Sequence, residues 1–160
     1  MLTNDQKEAF IQQIAQFPAR VAELVRDLST EQLTTMYLPG EWTIAQNVHH
    51  LVDSHMNSYV RCKLIATEHN PPLKPYDEHA WAQFPDASTA DLSASLALLA
   101  NLHVRWVMFW RSLPDDAWQR TGVHAVDGPL TLEQQLQNYV AHGRAHLEQI
   151  GRVRAAMRKE

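Results

Sequence analysis

The sequence contains a single cysteine, Cys62, among 160 residues, which excludes an internal disulfide and any cysteine-based metal cage. It also lacks an excess of positive charge, because 14 basic against 18 acidic side chains give a formal net charge of −4. That balance argues against nucleic acid or an anionic membrane as the main partner. No apolar run is long enough to cross a bilayer, and the first residues lack the basic and apolar regions of a signal peptide. We therefore expect a cytoplasmic protein.

The periodicity of the apolar residues predicts helices. Apolar side chains recur at helical spacing over about 4–28, 43–67, 89–112 and 131–157. Three of these segments open with a hydroxyl three residues before a glutamine, which is the spacing of a capping box at a helix start. Pro18 lies inside the first segment and is expected to kink or divide that helix.

A proline-rich stretch lies between the second and third predicted helices. Its apolar side chains need cover, so a long crossover packed over the helices fits better than a disordered linker, with one turn of helix near Asp77–Trp81. The alternation typical of strands is absent, apart from a possible small hairpin within Gly122–Leu130. The sequence thus predicts an all-α four-helix bundle with a long crossover between helices two and three, forming a single domain over residues 1–160.

Nine histidines are the unusual feature of the composition. His142 and His146 are four residues apart on the fourth helix, so both imidazoles lie on one helical face and can converge on one ion. A neutral imidazole is a common ligand of zinc, nickel or iron. His146 falls on the apolar stripe, where a polar ring needs a partner, and Gly143 leaves room on the same face. The alternative is a chance pair, since nine histidines produce some pairs at this spacing.

A further ligand has to come from another helix, and the second helix offers His50 and His55. A helical wheel places His55 near the centre of the apolar face and nominates it as the inward ligand. His50 lies about 140° away, on a polar stripe. A polar stripe can also line a water-filled cleft, so periodicity does not decide whether His50 or His55 is the third ligand. His55 and Asp53 are also candidates for orienting a metal-ligating side chain through a hydrogen bond, without contacting the metal themselves.

Several segments resemble the YfiT branch of the DinB-like superfamily, in order and at similar spacing, from about Phe17 to the end of the fourth helix. These segments are Gly40–Tyr59, Lys74–Glu78 with Trp81, Leu102-His103 with Arg105-Trp106, and Tyr139–Ile150. The resemblance implies a four-helix bundle that holds a divalent metal ion, zinc or nickel, on three histidines and assembles as a homodimer. The matching positions are His50, His142 and His146, so the resemblance favours His50 over His55.

The sequence departs from the family pattern in two places. Relatives often have a Gly-Gly pair where this chain has Gly40-Glu41, and they can have further histidines where it has Ala145 and Gln149. The three ligand positions are intact. The departures therefore bear on the surrounding pocket and on the choice of substrate.

Three neutral imidazoles leave an ion with its full charge and an open position, so that water or a thiol becomes nucleophilic at neutral pH. The first hypothesis is metal-dependent hydrolysis of a small-molecule substrate, which is the activity attached to the YfiT branch. The alternative is thiol S-transfer of the bacillithiol S-transferase type, in which a low-molecular-weight thiol attacks an electrophile. A second alternative is a non-catalytic metal-binding stress protein. Cys62 is expected to be an inert core thiol, so any reacting thiol would come from the substrate. Arg144 lies within the histidine motif of the fourth helix and could either hold an anionic group of the substrate or form a surface ion pair.

Overall fold

The computed structural model describes residues 1–157, and four long helices dominate it. In chain order the elements are α1 (Asn4–Val25), α2 (Thr30–Thr34), α3 (Ile44–Thr67), β1 (Pro72–Leu73), α4 (Glu78–Trp81), α5 (Pro85–Ser88), α6 (Ser93–Arg111), a 3-10 helix (Asp115–Gln119), β2 (Thr121–His124), β3 (Gly128–Thr131) and α7 (Leu132–Met157). Helices α1 and α3 each pack against both α6 and α7. The predicted four-helix bundle is thereby confirmed. Within the described residues, no helix has both the length and the apolarity that a bilayer crossing requires.

The helix starts follow the capping boxes. At Thr3 and Thr43 the hydroxyl accepts a backbone N–H three residues on, and the glutamine there bonds back to the cap, as predicted. The same pair of bonds forms at Ser29 and begins the separate short helix α2. The first helix ends at Val25, three residues before the predicted end near residue 28.

The third long helix begins at Ser93 and not at residue 89 as predicted. The hydroxyl of Thr89 accepts the backbone N–H of Asp91, and the Asp91 carboxylate accepts the N–H of Ser93. These local bonds give residues 89–92 a turn conformation that competes with the helix.

Pro18 does not divide α1, which runs unbroken through it. Proline has no N–H, so the carbonyl of Ile14, one turn earlier, loses its partner within the helix. The side chain of His103 on α6 replaces that partner, because its Nδ1–H donates to the Ile14 carbonyl at 2.6 Å. This bond offsets part of the roughly 3 kcal/mol that an interior proline costs a helix.

The crossover is ordered, and it lies along α3. Strands β2 and β3 form an antiparallel hairpin, which confirms the one suggested by the sequence, and β1 adds in parallel to β2. The turn of helix predicted near Asp77–Trp81 is present as α4. Nothing in the sequence indicated β1, whose residues Pro72 and Leu73 pair with Val123 and His124 of β2. The N–H of Val123 donates to the carbonyl of Pro71, just before β1, at 2.8 Å. Together these elements cover the polar side of α3.

Candidate metal centre

Three histidines from two helices come together beneath the crossover. His50 projects from α3, and His142 and His146 project from successive turns of α7. One ring nitrogen of each lies within 4.8 Å of the others. The ring centroids of His142 and His146 are 4.5 Å apart, and that of His50 is 4.9 Å from His146. Within residues 1–157 these three form the only such group of metal-ligating side chains. The arrangement offers three nitrogens to one ion.

The electrostatics of the three imidazoles suit a cation. Burial, with a smaller contribution from neighbouring imidazoles, lowers the pKa of His50 and of His142 to about 3, and burial lowers that of His146 to about 4. All three rings are therefore neutral at pH 7 and keep a lone pair. His50 Nε2 and His142 Nδ1 are buried and have no hydrogen-bond partner among the described residues. A buried polar atom without a partner is costly, and a metal ion would supply the missing interaction.

Asn47 sets the orientation of His146. Its side-chain amide is fully buried and donates to the carbonyl of Thr43 at 3.0 Å. The amide oxygen is left to accept from His146 Nδ1–H at 2.9 Å. Because a neutral imidazole has one N–H, this bond places the lone pair of His146 on Nε2.

Three further side chains lie against His50, two from the crossover and one from the segment just before α3. The Tyr76 hydroxyl is 3.5 Å from His50 Nδ1, and a carboxylate oxygen of Glu78 is 3.9 Å from His50 Nε2. The indole of Trp42 lies 4.7 Å from the His50 ring and stacks on His146 at 6.3 Å. Burial raises the pKa of the Glu78 carboxyl, and the charge of His79 opposes that rise. None of these three residues could be assigned a role from the sequence, although all three lie in segments that resemble the family.

The structure does not place His55 in this group. His55 is completely buried, as the helical wheel predicted, but its Nδ1 is 2.7 Å from Nε2 of His103. His103 Nδ1–H donates to the Ile14 carbonyl, so Nε2 of this neutral ring must accept from His55 Nδ1–H. His50, which the wheel placed on a solvated stripe, is only 3% exposed. The wheel's ranking of the two residues is therefore wrong for the histidine group.

Glycine is needed at position 143 for helix packing, and not to leave room beside the histidines as the sequence suggested. A Cβ at this position would lie 2.8 Å from Cε2 of Phe17. The space on this face is therefore filled by the Phe17 ring, which stacks on both His55 and His103 at 5.1 and 5.6 Å. The glycine allows α1 to approach α7 and leaves no extra room at the three histidines.

None of the other singled-out residues belongs to the group of three histidines. Burial raises the pKa of the Asp53 carboxyl, and the neighbouring charge of Asp86 raises it further. The exposed Arg144 lies 3.9 Å from Glu148 in an ion pair one helical turn long. Cys62 is buried, and burial raises the pKa of its thiol to about 12, which makes it inert at neutral pH.

Comparison with known proteins agrees with this architecture. The profile of the family described as the DinB superfamily matches residues 13–150. The "Putative metal-dependent hydrolase YfiT" of Bacillus subtilis is 44% identical over 150 residues, which is 93% of this chain and 84% of the relative. A "Putative metal-dependent hydrolase" of Bacillus cereus is 41% identical over 153 residues, which is 96% of this chain and 88% of the relative. The solved structure of B. subtilis YfiT, described as a probable metal-dependent hydrolase with an unusual four-helix bundle topology, superposes with a TM-score of 0.94 at 42% identity, over 98% of this chain and 90% of that one.

Proposed function

This chain belongs to the DinB superfamily, and we propose that it is a metal-dependent hydrolase that holds zinc or nickel on His50, His142 and His146. The observation that carries the proposal is the convergence of three neutral imidazoles, two of which have a buried nitrogen without a partner in the described residues. The names of its relatives support the same class of activity. Three ligands, and not four, are typical of a catalytic site with an open position.

When bound, such an ion supplies the Lewis acid that makes water nucleophilic at neutral pH. The chain supplies the groups around it. Glu78 Oε2 is placed to accept and hold a proton beside His50, and the Tyr76 hydroxyl is placed to donate to a polar group of the substrate. The Trp42 indole covers the His50 and His146 rings and keeps bulk water off them. A carboxylate in this place can take the proton that the attacking water must lose.

Thiol S-transfer remains the second proposal, and one experiment separates the two. Protein loaded with zinc is incubated with an activated ester, p-nitrophenyl acetate, and separately with an alkylating electrophile, with and without a low-molecular-weight thiol. Consumption of the ester in water alone supports hydrolysis. Consumption of the electrophile only when the thiol is present supports transfer instead.

Glu78→Gln tests the role of the carboxylate. We expect kcat for p-nitrophenyl acetate to fall by about 100-fold or more, because an amide cannot accept the proton. Metal content is expected to stay unchanged, since Glu78 lies outside the group of three histidines. Glu68→Gln, at the exposed end of α3, is the matched control and should keep the wild-type rate. Loss of the metal in Glu78→Gln would instead identify Glu78 as a ligand.

Asn47→Leu tests the orientation of His146. The leucine keeps the branched shape of the side chain but removes the acceptor for His146 Nδ1–H, so the proton is no longer confined to that nitrogen. We expect metal affinity to weaken by about 10- to 100-fold, measured by competition with a chelator. Asn57→Leu is the control on the same helix, because its amide bonds only to the backbone carbonyl of Asp53. Equal affinities in the two variants would contradict the role of Asn47.

A further inference from the structure

A cavity of about 410 Å³ opens beside His142, one of the three histidines, and its volume lies within the usual range for small-molecule sites. Ser54 lines it with His142, and so do Tyr76 and Glu78, which both lie near His50. Arg61 from α3 and Gln135 from α7 line it farther along the bundle. The cavity therefore joins the proposed reaction centre to a second polar region.

Arg61 is the only arginine or lysine that lines this cavity. Its guanidinium donates to the backbone carbonyl of Lys74, which uses one of its five N–H groups. None of the ion pairs formed within residues 1–157 involves Arg61. The guanidinium thus keeps most of its donors and its full charge for another partner.

The two acids of the cavity do not neutralise this charge at close range. Asp127 is paired with His124 on the hairpin, at 2.7 Å. Glu78 lies 3.9 Å from His50 Nε2 and forms no ion pair with Arg61; burial raises the pKa of its carboxyl, and the charge of Arg61 lowers that pKa. The cavity consequently has a guanidinium without an ion-pair partner toward one end and His142, one of the three histidines, toward the other.

Helix geometry gives the spacing between these ends. Arg61 is seven residues beyond Ser54 on α3, and Gln135 is seven residues before His142 on α7. At 1.5 Å per residue the Cα atoms of each pair are about 10 Å apart along their helix. A molecule held at both ends must have a comparable length.

We propose that Arg61 binds an oxoanion group of the substrate, a carboxylate or a phosphate, about 10 Å from the group that reacts at the histidines. This inference rests on the proposed function, and it adds a substrate class: small extended molecules with an anionic end. Arg61 thereby determines specificity, and the fork of the guanidinium suits an oxoanion better than a single ammonium does.

The test measures binding of a thiol probe to zinc-loaded protein by calorimetry. The probe is 8-mercaptooctanoate, whose thiol can bind the metal while its carboxylate reaches Arg61. The neutral counterpart is 8-mercaptooctan-1-ol, and 8-mercaptooctyl phosphate distinguishes phosphate from carboxylate. We expect the better anionic probe to bind about 10-fold more tightly than the alcohol in the wild type. In Arg61→Gln this advantage is expected to disappear, while the alcohol binds as before.

Arg105→Gln is the matched control, because Arg105 is an arginine of α6 that lies over Tyr59 and does not line the cavity. The glutamine at position 61 can still donate to the Lys74 carbonyl, so a purely structural role would lower the melting temperature at most. Equal affinities of anionic and neutral probes in the wild type, or an anionic advantage that survives in Arg61→Gln, would overturn the inference. Protein that takes up no zinc would instead refute the proposed function, so the two failures are distinguishable by metal analysis.

Discussion

His146→Ala is expected to remove the divalent metal ion from the protein. Wild-type protein, purified without a histidine tag, should carry about one ion per chain by elemental analysis, because three neutral imidazoles converge on one point. Removing one of three ligands leaves two, which hold a divalent ion far more weakly. An ion at 100 times its dissociation constant stabilises the folded state by about 2.7 kcal/mol, so the melting temperature of the variant should also lose its sensitivity to a chelator.

His50→Ala and His55→Ala are the pair that decides the third ligand. We expect His50→Ala to lose the metal. His55→Ala should melt at a lower temperature, because it removes a fully buried ring and leaves His103 without its donor, but it should keep the metal. Metal loss in His55→Ala alone would show that the helical wheel identified the ligand and the family resemblance did not. Retention of metal in all the histidine variants would refute the site.

The helices of the bundle could be predicted because their signals are local. Apolar stripes and capping boxes lie within a few residues of the bonds that they form, and at Thr3 and Thr43 those bonds are present. The errors at helix ends have local causes that were also in the sequence, the capping box at Ser29 and the side-chain bonds at Thr89 and Asp91. The apolar periodicity alone does not show which of several competing local hydrogen bonds sets the end of a helix.

The site was only partly predictable, because its remaining residues meet through tertiary contacts. A wheel assumes that a polar stripe faces water, and on α3 that stripe is covered by the crossover, which buries His50 against Tyr76. Glu78 reaches the same place from 28 residues away in the chain. The hydrogen bond of His103 is a second example. Its acceptor is the Ile14 carbonyl, which lacks a partner within the helix because Pro18 has no N–H. No spacing rule relates residues so distant in sequence.

Metal-free protein is expected to lose stability steeply as the pH falls below about 6.5. In the folded state burial lowers the pKa of His50 and His142 to about 3 and that of His103 and His146 to about 4, and it lowers that of His55 as well. In the unfolded chain these rings titrate near 6.5, so the unfolded state binds more protons and acid favours it. Each imidazole then costs about 1.4 kcal/mol per pH unit, and the four with pKa values of 3 to 4 together cost up to about 5 kcal/mol between pH 7 and 5.5.

Two half-buried carboxyls act in the opposite direction, since burial raises the pKa of Asp53 and of Glu78 and their protonation favours the folded state in acid. The balance is measurable by urea unfolding at several pH values, where the slope of the unfolding free energy gives the number of protons taken up. His146→Gln should reduce that number by about one. A stability that stays level from pH 7 to 5 would contradict the burial of neutral imidazoles.

A metal ion needs the same lone pairs that protons occupy. The metal-loaded protein should therefore lose stability still more steeply as the pH falls, and the stability that it gains from the metal should vanish in acid.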